Sequence, residues 1–224
     1  MFKTETHLHT KESSGCGQLP AEEIIKMYSL AGYTTVFVTD HFNRHNLDKS
    51  GDIPWQDKVT RYLLGYENAK AAGEKHGVIV LFGAEVTLKC MPNDYLVYGV
   101  DRTFFDNCPD MLDMELEQFY THAKQNGATI IQAHPLRNGV CVPTPEFVDG
   151  FEVINTNPRH ENFSEDVVAI AKKHGLPVTG GSDAHRIEDV GGSGIVTDAE
   201  IRSAEDYINT VMTGNMRIIG GNVK

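Results

Sequence analysis

The sequence predicts an α/β domain, a distorted (βα)7 TIM-like barrel formed as a single domain over residues 1–224. Two observations carry this expectation. Short apolar, β-branched runs alternate with helical patterns along the whole chain, and residues that can ligate metal recur at the carboxyl ends of those runs. Size agrees: about seven strands in 224 residues suits one barrel slightly smaller than the usual ~250. An open doubly wound sheet is the alternative. No Gly-x-Gly-x-x-Gly follows the first strand, which weighs against dinucleotide binding.

Residues 2–6 set β-branched and aromatic side chains between charged ones and predict a short strand leading into Thr6-His7-Leu8-His9-Thr10. Side chains at i and i+2 of an extended chain point the same way, so His7 and His9 can offer two imidazoles to one point. Residues 19–31 predict a helix. Pro20 suits its first turn, Glu22 and Glu23 its positive end, and Ile24, Ile25, Tyr28 and Ala31 form the apolar stripe. Residues 35–39 are a continuous apolar run, as in a strand buried on both faces, and deliver Asp40-His41. A helix over 59–75, closed by His76-Gly77, leads to a strand over 78–82 that delivers Gly83-Ala84-Glu85. Asn93-Asp94 opens a strand over 95–98, and a helix over 111–126 stops at Gly127. The strand over 129–133 delivers His134-Pro135; the one over 151–154 is followed by Asn155 and then Arg159-His160. A helix over 164–174, acidic in its first turn, is closed by Gly175. The strand over 176–179 delivers Gly180-Gly181-Ser182-Asp183-Ala184-His185, and Ser203-x-x-Asp206 reads as a capping box for a last helix ending at Gly214.

Composition narrows the partners. Twenty Lys and Arg face 31 Asp and Glu, a formal charge of −11, which argues against a nucleic-acid polymer or an anionic membrane. An anionic substrate would need local positive charge, which metal ions and a few arginines can supply. No apolar run approaches the ~20 residues of a membrane span, and the amino terminus lacks the apolar core of a signal peptide. The candidate ligands begin at His7, leaving no room ahead of them for a leader. Cys16, Cys90, Cys108 and Cys141 form no Cys-x-x-Cys pair, so a reducing, cytoplasmic location is expected.

His7, His9, Asp40, His41, Glu85, His134, Asp183 and His185 therefore gather on one predicted rim, the face on which parallel barrels assemble active sites. Singly, each has an ordinary explanation: Asp40 as a turn cap, Glu85 as a solvated strand end, His134 as a turn residue before Pro135. Jointly they point to a metal centre. His45, His76, His122 and His174 fall in a loop, at helix ends or within helices. His76 and His174 each precede a glycine at a helix carboxyl end, where a cation suits the dipole.

His7-x-His9, Thr39-Asp40-His41, Gly83-Ala84-Glu85, His134-Pro135 and Gly181-Ser182-Asp183-Ala184-His185 resemble, in order, the motifs of the PHP (polymerase and histidinol phosphatase) superfamily, from residue 5 to about 197. The resemblance implies a distorted seven-stranded barrel, a centre of two or three divalent zinc, iron or manganese ions, and hydrolysis of phosphate esters by a stand-alone domain. It implies that His7, His9, Glu85 and Asp183 hold one ion, that Glu85 bridges to a second shared with His134, and that His41 and His185 hold a third. Asp40, counted among the catalytic residues, is expected to orient ligands. Two positions depart from the pattern. Cys16-Gly17 stands where the family often has a histidine, or an aspartate in an Asp-Gly pair, and Asp94 where it often has a histidine. Both are candidate ligands.

Clustered dications acidify water towards a pKa of ~7 and suit in-line attack on phosphorus. Arg137 and Arg159, on predicted rim loops, are the candidates to hold phosphate, because guanidinium forks match its oxygens. His160 is the candidate to protonate the leaving group. The expected partner is a small phosphorylated substrate such as a sugar phosphate, a nucleotide or histidinol phosphate. Two rivals stand beside this reading. An amidohydrolase would want a carboxylated lysine on a mid-barrel strand, where only Lys89 lies nearby in a loop; a non-catalytic metal module would tolerate missing ligands.

Overall fold

In a computed structural model, which describes residues 1–89 and 91–220, the chain runs through strands β1 (Phe2–Leu8), β2 (Thr35–Val38), β3 (His41–Phe42), β4 (Ile79–Thr87), β5 (Asp94–Tyr98), β6 (Thr129–Gln132), β7 (Gly150–Asn155), β8 (Val178–Gly181), β9 (Gly194–Thr197) and β10 (Arg217–Ile219). Between them lie α1 (Ala21–Leu30), α2 (Arg44–Asp48), α3 (Trp55–Tyr62), α4 (Leu64–His76), α5 (Arg102–Asp106), α6 (Leu116–Gln125), α7 (Ser164–His174) and α8 (Ala204–Thr213). The sheet order is β10-β9-β1-β2-β4-β5-β6-β7-β8, with β3 also on β4. A bridge from Leu8 to Ala184 brings the β1 end back to the chain after β8, so the sheet is a nearly closed barrel. Cys90 lies outside the described residues; Cys16, Cys108 and Cys141 are free thiols. Among the described residues, no helix is long and apolar enough to cross a membrane.

The expectation of a wholly parallel sheet is corrected. β1, β2 and β4 run parallel, as do β6, β7 and β8, but β5 is antiparallel to both β4 and β6. The cause is connection length. Residues 88–93 join β4 to β5, whereas a parallel crossover needs about a dozen residues or more. The helix expected over 59–75 is two helices that meet at Leu63. The one expected over 111–126 splits into a 3-10 turn at Met111–Asp113 and α6, which Glu115 and Gln118 open with a capping box. Ser203 caps α8 by accepting the Asp206 N–H, and Gly77 and Gly175 end α4 and α7 in the left-handed conformation.

Alternation along β2 divides the core. Val36 and Val38 pack outward with Ile24, Ile25 and Tyr28 of α1 and Ala69 and Ala72 of α4. Phe37 joins Tyr98 and Tyr207 in another cluster, its ring centroid 5.1 Å and 4.8 Å from theirs. Fully burying each such ring contributes roughly 1.5–3 kcal/mol. The Tyr98 hydroxyl donates to the Thr6 carbonyl at 2.8 Å, which ties this aromatic layer to the backbone just before His7.

Candidate metal centre

β1 is irregular where it enters the site. Its register against β2 shifts between Glu5 and Leu8. Glu5 Oε1 accepts the Thr6, His7 and Ser182 N–H groups, each at 2.9 Å, while Oε2 accepts the Tyr28 and Ser182 hydroxyls. One fully buried carboxylate thus satisfies backbone donors at the shift and fixes the segment that carries His7. Burial holds its carboxyl above the usual range even though the Ser182, His7 and Tyr28 donors act to lower it.

Hydrogen bonds orient three of the imidazoles. His7 Nδ1 meets Glu152 Oε1 at 2.9 Å; a carboxylate only accepts, so Nδ1 donates and Nε2 is turned into the cluster. His9 Nδ1 meets Ser14 Oγ at 3.1 Å. The Ser14 hydroxyl gives its own proton to Asp40 Oδ1 at 2.7 Å, so it accepts from His9 Nδ1, and His9 Nε2 is turned into the cluster. Likewise His185 Nδ1 donates to the Asp183 carbonyl at 2.8 Å, leaving Nε2 facing Cys16 Sγ at 3.1 Å. The Nε2 atoms of His7 and His9 oppose each other at 3.1 Å, both turned into the cluster.

Acidic oxygens complete the set. Glu85 lies 3.4 Å from His7 Nε2, 3.2 Å from His9 Nε2 and 3.1 Å from His134 Nε2, and Asp183 Oδ1 lies 3.6 Å and 3.3 Å from the first two. Donors on a tetrahedral ion with bonds of about 2.1 Å stand about 3.4 Å apart. The spacing is therefore that of ligands around an ion. Opposite Glu85 across β3 and β4 stands His41, its Nδ1 2.8 Å from Glu85 Oε2, yet neither buried atom has a hydrogen-bond partner. Four groups bring ligand atoms within reach of one ion: His9, His41 and His185; His7, His9 and Glu85; His7, His134 and Asp183; and His41, Glu85 and Asp94. Burial alone would raise Glu85, but His41 and His7 beside it hold it well below the usual carboxylate range. Burial would depress His7; Glu152, Glu85 and Asp183 outweigh it and hold the ring well above its usual value. In effect the cluster calls for positive charge, and its donors fit divalent transition metal.

Of the residues expected from sequence, His7, His9, His41, Glu85, His134, Asp183 and His185 converge. Asp94 joins them from the first residue of β5, its Oδ2 3.8 Å from His134 Nε2 and its Oδ1 taking the Thr87 hydroxyl at 2.5 Å. Cys16 comes in from the loop after β1. Burial opposes ionisation of its thiol, but hydrogen bonds with His185 and His41 bring it down to about 5. Asp40 does not face the cluster. It takes the Thr10 N–H, the Thr10 hydroxyl and the Ser14 hydroxyl, each at 2.7 Å, and so props His9 from behind.

A cavity of about 190 Å³ opens over the cluster, lined by Cys16, His41, Arg137, Asn157, Arg159, His160, His185 and Arg186. Arg137 reaches the donors themselves, 3.0 Å from His134 Nε2 and 3.4 Å from Asp183 Oδ2. Arg159, the other candidate to hold phosphate, lines the same cavity but is already paired. Both of its terminal nitrogens fork onto Asp189, at 2.9 Å and 2.7 Å, and Asp189 Oδ2 also accepts the His185 and Arg186 N–H groups. His160 lines the mouth, hydrogen-bonded to Asn138. His76 pairs with exposed Glu22, and His174 ends α7.

Sequence reading missed Glu152, Ser14, Glu5, Asn157 and Asp189. One signal was available for Glu152, a charge inside the otherwise apolar run Phe151-Glu152-Val153-Ile154. Backbone strain marks the same face. Among the described residues, non-glycine positive φ occurs at His134, Asn138, Phe163 and Asp183, all on loops or turns after β6, β7 and β8. Such conformations cost about 1–3 kcal/mol each and persist where the surroundings enforce them.

Comparison with known proteins bears on this geometry. The PHP domain family matches residues 5–176, and the PHP-associated family matches residues 165–215. A DNA polymerase III PolC-type from Latilactobacillus sakei subsp. sakei (strain 23K) is 31% identical over 86 residues, which is 38% of this chain and 5% of the polymerase. A two-domain protein from Bacteroides vulgatus ATCC 8482, described as containing a predicted PHP-like metal-dependent phosphoesterase, superposes with a TM-score of 0.70 at 15% identity, covering 97% of this chain and 64% of that one. A candidate metal-dependent phosphoesterase from Bifidobacterium adolescentis gives 0.59 at 15% identity, covering 95% and 96%. At such identities the structural likeness speaks for the fold alone.

Proposed function

We propose that this chain, which belongs to the PHP domain family, hydrolyses a small phosphate monoester at a centre of two or three divalent zinc, iron or manganese ions. The observation that supports it most is the convergence of the His7 and His9 Nε2 atoms with Glu85 and Asp183 at the spacing of ligands around one cation. His7, His9, Glu85 and Asp183 would hold one ion, Glu85, His134 and Asp94 a second, and Cys16, His41 and His185 a third. Such ions supply an acidified water and sites for phosphate oxygens. Arg137 adds a guanidinium against the same donors, while Arg159, anchored on Asp189, shapes the wall and steadies the His185 loop. The small polar cavity and the net charge of −11 favour a compact phosphorylated metabolite over a nucleic-acid polymer. The free thiols suit a cytoplasmic setting.

Lys89, the lysine an amidohydrolase reading would need, turns instead towards Asp113 at 3.8 Å. The test is a phosphate-release screen over sugar phosphates, nucleotides and histidinol phosphate, run beside amide and lactone panels. Turnover of phosphate esters, abolished by chelator and restored by divalent metal, is expected. Hydrolysis confined to amides or lactones would overturn the proposal, as would less than one equivalent of metal after reconstitution.

A further inference from the structure

Asn138, beside His160 of the cavity lining, has φ of +54°, in the left-handed region that asparagine tolerates better than most residues. It joins two rim loops. Its N–H donates to the Glu161 carbonyl at 2.7 Å, and its Oδ1 accepts the Glu161 N–H at 3.0 Å. The second bond settles which way the side-chain amide points. With Oδ1 turned to Glu161, the Nδ2 group faces His160 Nδ1 at 3.0 Å. An amide nitrogen only donates, so His160 Nδ1 must accept. An accepting Nδ1 carries no proton, which leaves the ring neutral with its one proton on Nε2.

We propose that Asn138 is a positioning residue that holds His160 as the neutral Nε2–H tautomer, so that His160 donates a hydrogen bond to the phosphate or leaving-group oxygen and does not act as a proton donor. This assignment of what His160 does rests on the phosphoesterase reading; the tautomer itself does not. A neutral imidazole is far too weak an acid to give up its remaining proton, so the tautomer replaces the leaving-group role expected from sequence. The surroundings agree. Burial disfavours the charged ring, and Arg137, His134 and Arg159 reinforce that, with Asp183 alone opposing them.

The test is nitrogen-15 NMR of the full, zinc-loaded chain, with the His160 signals identified from their loss in His160→Gln. The expected spectrum has an unprotonated Nδ1 and a protonated Nε2 through neutral pH. Asn138→Asp supplies the contrast. Aspartate also tolerates this backbone and can still accept the Glu161 N–H, but its second oxygen must accept from His160, moving a proton onto Nδ1. That variant should show a protonated Nδ1, and its kcat/KM on the best phosphate ester should fall about tenfold, the scale of one misdirected hydrogen bond. His160→Gln, which keeps a donor near the Nε2 position, should lose several-fold less activity than His160→Phe, whereas a true acid would be lost equally in both. A protonated Nδ1 in the natural protein, or an unchanged tautomer in Asn138→Asp, overturns the proposal. The predicted tautomers in a chain that turns over no phosphate ester would sink the phosphoesterase reading and leave the tautomer assignment standing.

Discussion

The two ends of the donor set are built by different means. At the inner end, His7, His9 and Glu85 are fully buried, and buried partners fix both rings: Glu152 behind His7, and Ser14 with Asp40 behind His9. At the outer end, Cys16 is exposed, His41 is partly exposed, and His185 is held through a loop that Asp189 and Arg159 tie down. The inner end is preorganised by burial, so its ions should exchange slowly. The outer end depends on loop contacts and a thiolate, and should exchange faster and prefer thiophilic ions.

The sharpest test of this contrast is Glu85→Ala. Removing the carboxylate that reaches His7, His9, His41 and His134 should lower metal content by two equivalents and activity by about a thousandfold or more, read by elemental analysis and phosphate release. Retention of both inner ions would show that the ends are not distinct. Next comes Glu152→Gln, which leaves the charge-neutral shape but no anion to orient the His7 ring. Inner-site metal affinity should drop about ten- to a hundredfold, measured by competition with a chelator, while the outer ion stays. Cys16→Ser should do the opposite, releasing one equivalent and leaving two. Its thiol offers a second readout. With a value of about 5, Cys16 is thiolate above that pH, so in stripped protein its alkylation rate should be flat from about pH 6 to 8. Buried Cys108, pushed up by burial and by Asp110, should still be speeding up across the same interval. A matching slope for both thiols would remove the electrostatic basis of the outer site. Arg159→Ala should raise KM up to about tenfold through the loosened His185 loop, with the inner ions untouched. His174→Ala, at the end of α7, is the baseline and should change neither metal content nor rate.

The same division explains what could be read from sequence. The ligands were legible because each sits at or near the end of a strand whose apolar run is easy to recognise, as with Glu85 after Val78–Phe82 and His134 after Thr129–Ala133. Of their supports only Asp40, next to His41, was legible. Ser14 and Asn157 lie in loops, where sequence carries no periodicity, and Glu5 works only because β1 slips register against β2, which no local pattern records. The reversal of β5 escaped because its apolar run reads the same in either direction. Strands β9 and β10, of four and three residues, are too short to show a period; β9 pairs with β1 over Phe2–Thr4.

That reversal has a consequence for how the centre comes into being. β4 and β5 form a hairpin, with Thr87 opposite Asp94 and Glu85 opposite Leu96, closed by only residues 88–93. The barrel seam, by contrast, joins Leu8 to Ala184 across most of the chain. Hairpins close in about 1–10 μs, while contacts so distant in sequence must first overcome the entropy of a very long loop. Glu85 and Asp94 should therefore meet early in folding, and His7 should meet Asp183 late. A nascent chain would carry one acidic half of its centre before the seam exists, so metal present during folding can act as a clasp on that seam. Pulse-labelled hydrogen exchange should show β4 and β5 amides protected ahead of those of β1 and β8, and added zinc should shorten that interval; simultaneous protection would show instead that the barrel forms in a single step.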